Sequence, residues 1–333
     1  MGNTPLVAPP DTPEAMVDRS NIALVFVKPH ANNEKCRAFV SGELQSRGLS
    51  ILAEGDLDAA TIKEKGIIDK HYRAIAKCAM ETHPSELSLS ADKKKEFQAK
   101  FGKTWDELMD LGLVHNAKAA CEKLGTMDGD NLVPLTGGEM QKLWAKAGGG
   151  AFKLGPGLYV GNIGTEEPLF VVNGFYANMR DKYVKGAGVH YYAVGFDPSV
   201  LSWKKFRGEV IGATDPTAAD PASIRGMIFA RGEADLGLPG KPDVTDNGVH
   251  ASAGPIEALR ERCTWLGYAV EEDPFAKVLM TWTGFNAKQL EPWLNDEVVE
   301  EKVNNKVKGK MFDVTEDKDS TYAVMLCNNL ARA

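Results

Sequence analysis

The chain has 333 residues, 43% of them hydrophobic, and a net charge of −7 from 39 basic and 46 acidic side chains. That length suits two average domains or one domain with large insertions, with enough apolar material for a sizeable core. The acidic balance argues against a nucleic-acid backbone gripped over the whole surface, which needs clustered Lys and Arg, but it allows a small basic pocket for one triphosphate.

The first 20 residues, with Pro5, Pro9, Pro10 and Pro13 among polar neighbours, are expected to be a flexible start. They have no signal-peptide core. Met1-Gly2 opens like a myristoylation site, but Leu6 stands where Ser or Thr is needed. Residues 22–27 are a continuous apolar run closed by Lys28-Pro29, the pattern of a buried strand, since Pro29 offers no ladder donor. Residues 34–47 set Cys36, Phe39, Val40 and Leu44 on one helical face, with Gly48 as the stop. A second strand over 49–57 and a helical stretch over 59–80 follow.

From about residue 84 the texture changes. Short, charged helices are expected at 93–101, 104–111 and 115–124, followed by a glycine-rich loop from Gly148 to Gly164. Gly155, Gly157 and Gly161 in that loop lack the spacing of a dinucleotide fingerprint. Strands are predicted at 169–172 and 189–194, and helices at 175–183 and from Pro255 through Trp265. The remainder, 267–333, predicts two helical pieces, one of them the charged stretch 297–310. No apolar run approaches the roughly 20 residues of a membrane span. Cys36, Cys78, Cys121, Cys263 and Cys327 are odd in number and form no Cys-x-x-Cys pair. Buried free thiols in a reducing compartment are the expectation, and with them a soluble, cytoplasmic protein.

Three pieces in order carry chemistry: Thr214-Asp215-Pro216, Ser223-Ile224-Arg225-Gly226, and Asn247-Gly248-Val249-His250-Ala251-Ser252, the last preceding a helix with Glu261 and Trp265. This set resembles the active-site region of nucleoside diphosphate kinases, in which Asn-x-x-His-x-Ser carries a phosphorylated histidine. Val27-Lys28-Pro29-His30 resembles the family's Lys-Pro-Asp, and His71-Tyr72 its His-Tyr pair. The resemblance spans 21–83 and 169–266. It leaves 84–168 as a helical and glycine-rich insertion and 267–333 as a C-terminal extension. It implies an α+β fold, a ferredoxin-like antiparallel sheet with helices on its faces, interrupted by the mostly helical insertion.

What the resemblance implies for chemistry is a γ-phosphate transfer from a nucleoside triphosphate to a nucleoside diphosphate through phospho-His250. Imidazole is neutral near pH 7 and forms a labile phosphoryl bond, as a ping-pong carrier must. Glu261 is then the carboxylate orienting His250, seconded by Ser252, for which a helix N-cap is an equal reading. His250 and Glu261 stand 11 positions apart, about 16 Å on one straight helix. They can meet only if His250 lies before the helix and Gly254-Pro255 breaks the chain between them. Lys28, Arg207, Arg225 and Thr214 would clamp phosphates, and Asn247 the ribose and phosphate region. Tyr72 falls where the family positions a tyrosine near the phosphates, and Tyr176 is the candidate for stacking on the base, with core packing its rival. Mg2+ would arrive on the nucleotide phosphates, with no protein metal cage. A homo-oligomer or larger assembly is compatible with the pattern.

Three features depart from it. Gly208 occupies the place of a family arginine, with Arg207 one residue early; the stretch from Arg225 to Asn247 is longer than usual; and the insertion is long. The Gly208 departure supports a rival of another class, a catalytically weak or inactive nucleotide-binding scaffold, for example in a cytoskeletal or axonemal (ciliary) assembly. Neither a P-loop nor a Gly-x-Ser-x-Gly elbow is present to support another phosphotransferase or a serine hydrolase.

Overall fold

The apolar run near the start forms β1 (Asn21–Val27), and all of its residues are buried. Side chains alternate across a strand, so burial throughout needs cover on both faces. Ala23, Val25 and Val27 enter a core with α1 (Glu34–Ser46) and α2 (Ile224–Arg231). The opposite face presents Phe26 to the rings of His250 and Trp265. With β2 (Ser50–Leu57), β3 (Val189–Phe196) and β4 (Val249–Ala251), β1 makes a four-stranded sheet in the order β4–β1–β3–β2. Every neighbouring pair in it is antiparallel.

The computed structural model describes residues 20–146, 151–164, 167–301 and 307–332. The flexible start expected for 1–20 lies outside the described residues apart from Ser20, and so do Gly148, Gly149 and Gly150. The chain divides into two compact units, Met1–Leu57 with Gly188–Ala333, and Asp58–Ala187.

In the first unit α1 begins where Asn33 accepts the Cys36 N–H, and Cys36, Val40 and Leu44 face the core as their spacing predicts. The helix after β4, α3 (Pro255–Leu266), starts on a proline at its first position and carries buried groups on two sides. Ile256 and Leu259 join a second core built by α4 (Pro274–Thr283), α5 (Ala287–Leu294), the short helix Met311–Thr315 and α6 (Ser320–Ala331). The C-terminal stretch therefore holds more than two helices. The charged segment 297–310 is not a helix at its described ends: Val298–Glu300 and Lys308–Lys310 pair as antiparallel strands. Buried polar bonds fasten this layer to the sheet. Asn21 Nδ2 donates to Asp319 Oδ1 at 2.7 Å, and Ser320 N–H donates back to Asn21 Oδ1 at 2.8 Å.

The second unit is mixed as well. The helical stretch expected over 59–80 is broken into Ala59–Glu64, Ile67–His71, Arg73–Ala76 and a wider turn, Lys77–Glu81. Gly66 takes a left-handed φ of 59°, and Tyr72 leaves helical geometry at ψ 37°. Ala91–Phe101, Trp105–Asp110 and Ala117–Lys123 fall close to the three expected helices. Thr104 and Glu107 close a capping box at the second of them. His115, expected in a helix, lies in a strand, because Asn116 caps the following helix through its side chain. The glycine-rich stretch is likewise not a plain loop. Phe152–Gly155 and Leu158–Asn162 form a hairpin within a sheet that continues to Phe170–Val172 and Val114–Asn116. Among the described residues no helix is long and apolar enough to cross a membrane.

Candidate active site

The register of β4 on β1 sets the site. Phe26 pairs with His250, so both side chains leave the sheet on the α3 face. Their rings stack at 4.6 Å between centroids and 23° between planes, and Trp265 backs Phe26 at 4.6 Å. After Ala251 the chain leaves the strand, and Gly254 is extended (φ −168°) before Pro255 opens α3. That break folds the helix back over the strand. His250 Nε2 thereby reaches Glu261 Oε1 at 2.7 Å, although the two are 11 residues apart.

Glu261 is 3% exposed and is held at both oxygens. Ser252 Oγ lies 2.5 Å from Glu261 Oε2 and 3.2 Å from Leu24 O, so its single proton goes to the nearer carboxylate. The same Oγ accepts the Leu24 N–H at 2.9 Å. Ser252 thus couples the carboxylate to the backbone of β1, and it does not cap α3. A buried carboxylate accepting from Nε2–H leaves the imidazole lone pair on Nδ1 and stabilises positive charge on the ring. Glu257, one helical turn before Glu261, accepts the Ala253 N–H at 3.0 Å. Burial, and then the charge of Glu261, push its carboxyl up to about 8.

Around this pair lie the other candidates of the first unit. Lys28 ends β1, where its backbone N–H donates to Gly248 O and its Nζ to Thr245 O, each at 2.9 Å. Arg225, in the first turn of α2, is 9% exposed. It donates through Nη1 to Gly212 O at 2.8 Å and through Nη2 to Val249 O at 3.0 Å. Its charge therefore sits on the carbonyl just before His250. Asn247 is 1% exposed. Its Nδ2 donates to Thr214 O at 2.8 Å and to Val244 O at 3.3 Å, while its Oδ1 is buried without a hydrogen-bond partner. The Thr214 residue itself is exposed.

Arg225 is thus turned onto the backbone where a phosphate clamp was expected, and two more candidates differ from expectation. Arg207 Nη1 is paired with Glu316 at 2.5 Å and Asp317 at 2.8 Å. Those acids come from the C-terminal stretch, so the guanidinium is committed to protein carboxylates. Tyr176, in the second unit, is fully buried in a core with Ala76, Ala117 and Met140. Its hydroxyl donates to Asp69 Oδ1 at 2.8 Å, and burial, then that carboxylate, raise its pKa well above the usual value. A ring packed on both faces cannot stack on a base, so core packing replaces the base-stacking expectation. Tyr72, in the same unit, is half-buried, with its ring edge-on to His71 at 4.4 Å.

Sequence reading gave no role to three residues that the structure brings to the first unit's site. Phe26 forms a wall of the imidazole, and the only signal for it was its place in the continuous apolar run of residues 22–27. Glu257 lies four residues before Glu261 on one helix face. His30 accepts the Gly248 N–H through Nε2 at 3.1 Å. The five cysteines are free thiols; Cys36, Cys121 and Cys327 are buried, and burial pushes the Cys36 thiol up to about 12.

No family model matches the chain, and no curated protein matches it. Among solved structures, it is similar to an apo nucleoside diphosphate kinase of Encephalitozoon cuniculi at 13% identity and a TM-score of 0.34, over 76% of this chain and 93% of that one. A Borrelia burgdorferi nucleoside diphosphate kinase, in a transition-state mimic with vanadate and ADP, gives 16% identity and a TM-score of 0.33, over 74% and 87%. An NDP kinase of Pyrobaculum aerophilum gives 15% and 0.34, over 76% and 98%.

Proposed function

We propose that the chain is a phosphotransferase that carries the γ-phosphoryl group of a nucleoside triphosphate on His250 and passes it to a nucleoside diphosphate. One observation carries this reading: the 2.7 Å contact between His250 Nε2 and the buried Glu261 Oε1, with Ser252 on the second oxygen. A lone imidazole, free to rotate and with no countercharge, is poorly organised to attack a phosphoanhydride. One whose Nε2–H is held by a carboxylate offers Nδ1 in a fixed direction and has a countercharge for the cation that forms. The Nδ1 lone pair attacks the γ-phosphorus, the bond from phosphorus to the β–γ bridging oxygen breaks, and its electron pair leaves with the diphosphate. An acceptor diphosphate then attacks the phosphoryl group in the reverse sense.

Lys28 supplies a mobile point charge for the phosphates, since its Nζ–Thr245 bond is exposed and readily exchanged. Thr214, exposed, offers a hydroxyl to the nucleotide, and Asn247 holds the Thr214 backbone through its Nδ2. Arg225 acts at one remove, by holding the Val249 carbonyl and placing a cation behind the histidine strand. Mg2+ would be held by the nucleotide phosphates and would supply charge neutralisation there, while both oxygens of Glu261 are engaged by His250 and Ser252. We read the sheet order β4–β1–β3–β2 as the ferredoxin-like arrangement, and residues 84–168 as an insertion into that domain.

A second reading, a nucleotide-binding scaffold without turnover, is favoured by the engagement of Arg207 with Glu316 and Asp317 and by Gly208 beside it. Incubation with γ-labelled ATP separates the two. Acid-labile, alkali-stable label on the protein, discharged by an added diphosphate, is expected of the phosphotransferase. ATP binding with no label would leave the scaffold.

A further inference from the structure

Lys28-Pro29-His30 does more than end a strand. His30 lies in the short turn Pro29–Ala31, and its Nε2 accepts the Gly248 N–H at 3.1 Å. Its Nδ1 faces Asp246 Oδ1 at 3.5 Å. The Gly248 carbonyl in turn accepts the Lys28 backbone N–H at 2.9 Å. Residues 28 and 30 therefore grip Gly248 at both its amide and its carbonyl. That residue is strained for anything larger: its φ is 87°, and a Cβ there would stand 2.6 Å from Ile228 Cδ1. Asn247, with its buried Oδ1, precedes Gly248, and His250 follows two residues on.

A neutral imidazole accepts on one nitrogen only if its proton is on the other. With Nε2 accepting from Gly248, the His30 proton is on Nδ1, on the side of Asp246. His250 has the opposite tautomer, with Nε2–H toward Glu261. The site thus holds two carboxylate-facing imidazoles, one presenting a lone pair to substrate and the other to the backbone.

We propose that His30 is a positioning residue for the phosphoryl transfer described above: as a hydrogen-bond acceptor it fixes the Asn247–Gly248 peptide, and with it the approach of Asn247 and His250 to the nucleotide. The inference rests on that reading of function. Its distinguishing content is that the acceptor matters and the imidazole ring does not. Glutamine places an amide oxygen about where Nε2 stands, whereas asparagine is too short to reach it.

The test compares wild type, His30→Gln, His30→Asn and His30→Ala. ADP affinity is measured by calorimetry, labelling of His250 by γ-labelled ATP, and folding by thermal unfolding. Loss of one hydrogen bond weakens ADP binding and slows labelling about tenfold in the Ala and Asn variants, while Gln stays within about twofold of wild type. Nitrogen-detected NMR of the wild type finds the His30 proton on Nδ1. Equal ADP affinity in all four folded proteins would overturn the inference, as would a Gln variant as impaired as Ala or a proton found on Nε2. A wild type that binds ADP but takes no label removes the transfer reading and still leaves the His30 effect on affinity to be read. A wild type that does not bind ADP overturns both.

Discussion

Glu261 and Arg262 are neighbours on α3, and each brings a charge into the interior, but they face different regions and do different work. Glu261 points to the sheet and meets His250 and Ser252, groups that can exchange a proton or a phosphoryl group. Arg262 points to the C-terminal layer and meets Asp273 through Nε at 2.7 Å and Nη2 at 2.9 Å, with a further bond to Ile22 O. Both residues of that second pair are essentially unexposed. It is a fork-to-fork ion pair in which each charge is satisfied by the other and neither meets a nucleophile, hence a structural tie. Buried charge alone therefore does not mark a reactive site. What distinguishes the first region is that the partner is an imidazole, whose second ring nitrogen is the atom on which the proposed transfer depends.

The comparison breaks most sharply at its two ends. His250→Ala removes the proposed nucleophile, so turnover and labelling fall to background while ADP affinity stays near wild type, checked by coupled assay and calorimetry. Asp273→Ala does the converse. It leaves Arg262 buried without its carboxylate, and denaturant titration should record a loss of about 3–5 kcal/mol. Glu261→Gln keeps the shape of the site but removes the countercharge, and it lowers the labelling rate about a hundredfold with a smaller change in ADP affinity. Ser252→Ala strips a buried bond from Glu261 and from Leu24 N–H, costing about 1–3 kcal/mol of stability.

The smallest effect is a pH dependence. The Glu257 carboxyl is raised in the folded chain from its usual 4.5 to about 8. Across that window the folded state holds a proton that the unfolded state has lost, so ionising Glu257 costs stability as pH rises. Glu257→Gln should therefore gain stability relative to wild type between mildly acid pH and about 8. Denaturant midpoints that run parallel across that range would show that Glu257 ionises without penalty.

How much of this was legible in the sequence follows from distance along the chain. β1 was readable because burial on both faces writes a continuous apolar run, and α1 because Cys36, Val40 and Leu44 repeat at helical spacing. The meeting of His250 with Glu261 could be stated as a condition, since Gly254-Pro255 was visible between them. The fate of Arg207 was not legible, because Glu316 and Asp317 lie more than a hundred residues on, and nothing local marks them as its partners. Tyr176 reads alike as a stacking ring or a core ring; only the placement of Asp69 and the surrounding core decides it. The hairpin of Phe152–Gly155 and Leu158–Asn162 was hidden because glycine carries no strand pattern. The charged strands near 300 and 309 were hidden because both edges are largely solvated.

The most direct test of the central claim is mass spectrometry of the intact protein after brief incubation with Mg-ATP at neutral pH, with peptide fragmentation kept out of acid. A mass gain of one phosphoryl group on the peptide bearing His250, lost on addition of ADP and absent in His250→Ala, is the result expected of a phosphohistidine carrier. Unmodified protein that binds ATP by calorimetry, or a phosphoryl group located on any other residue, would contradict it.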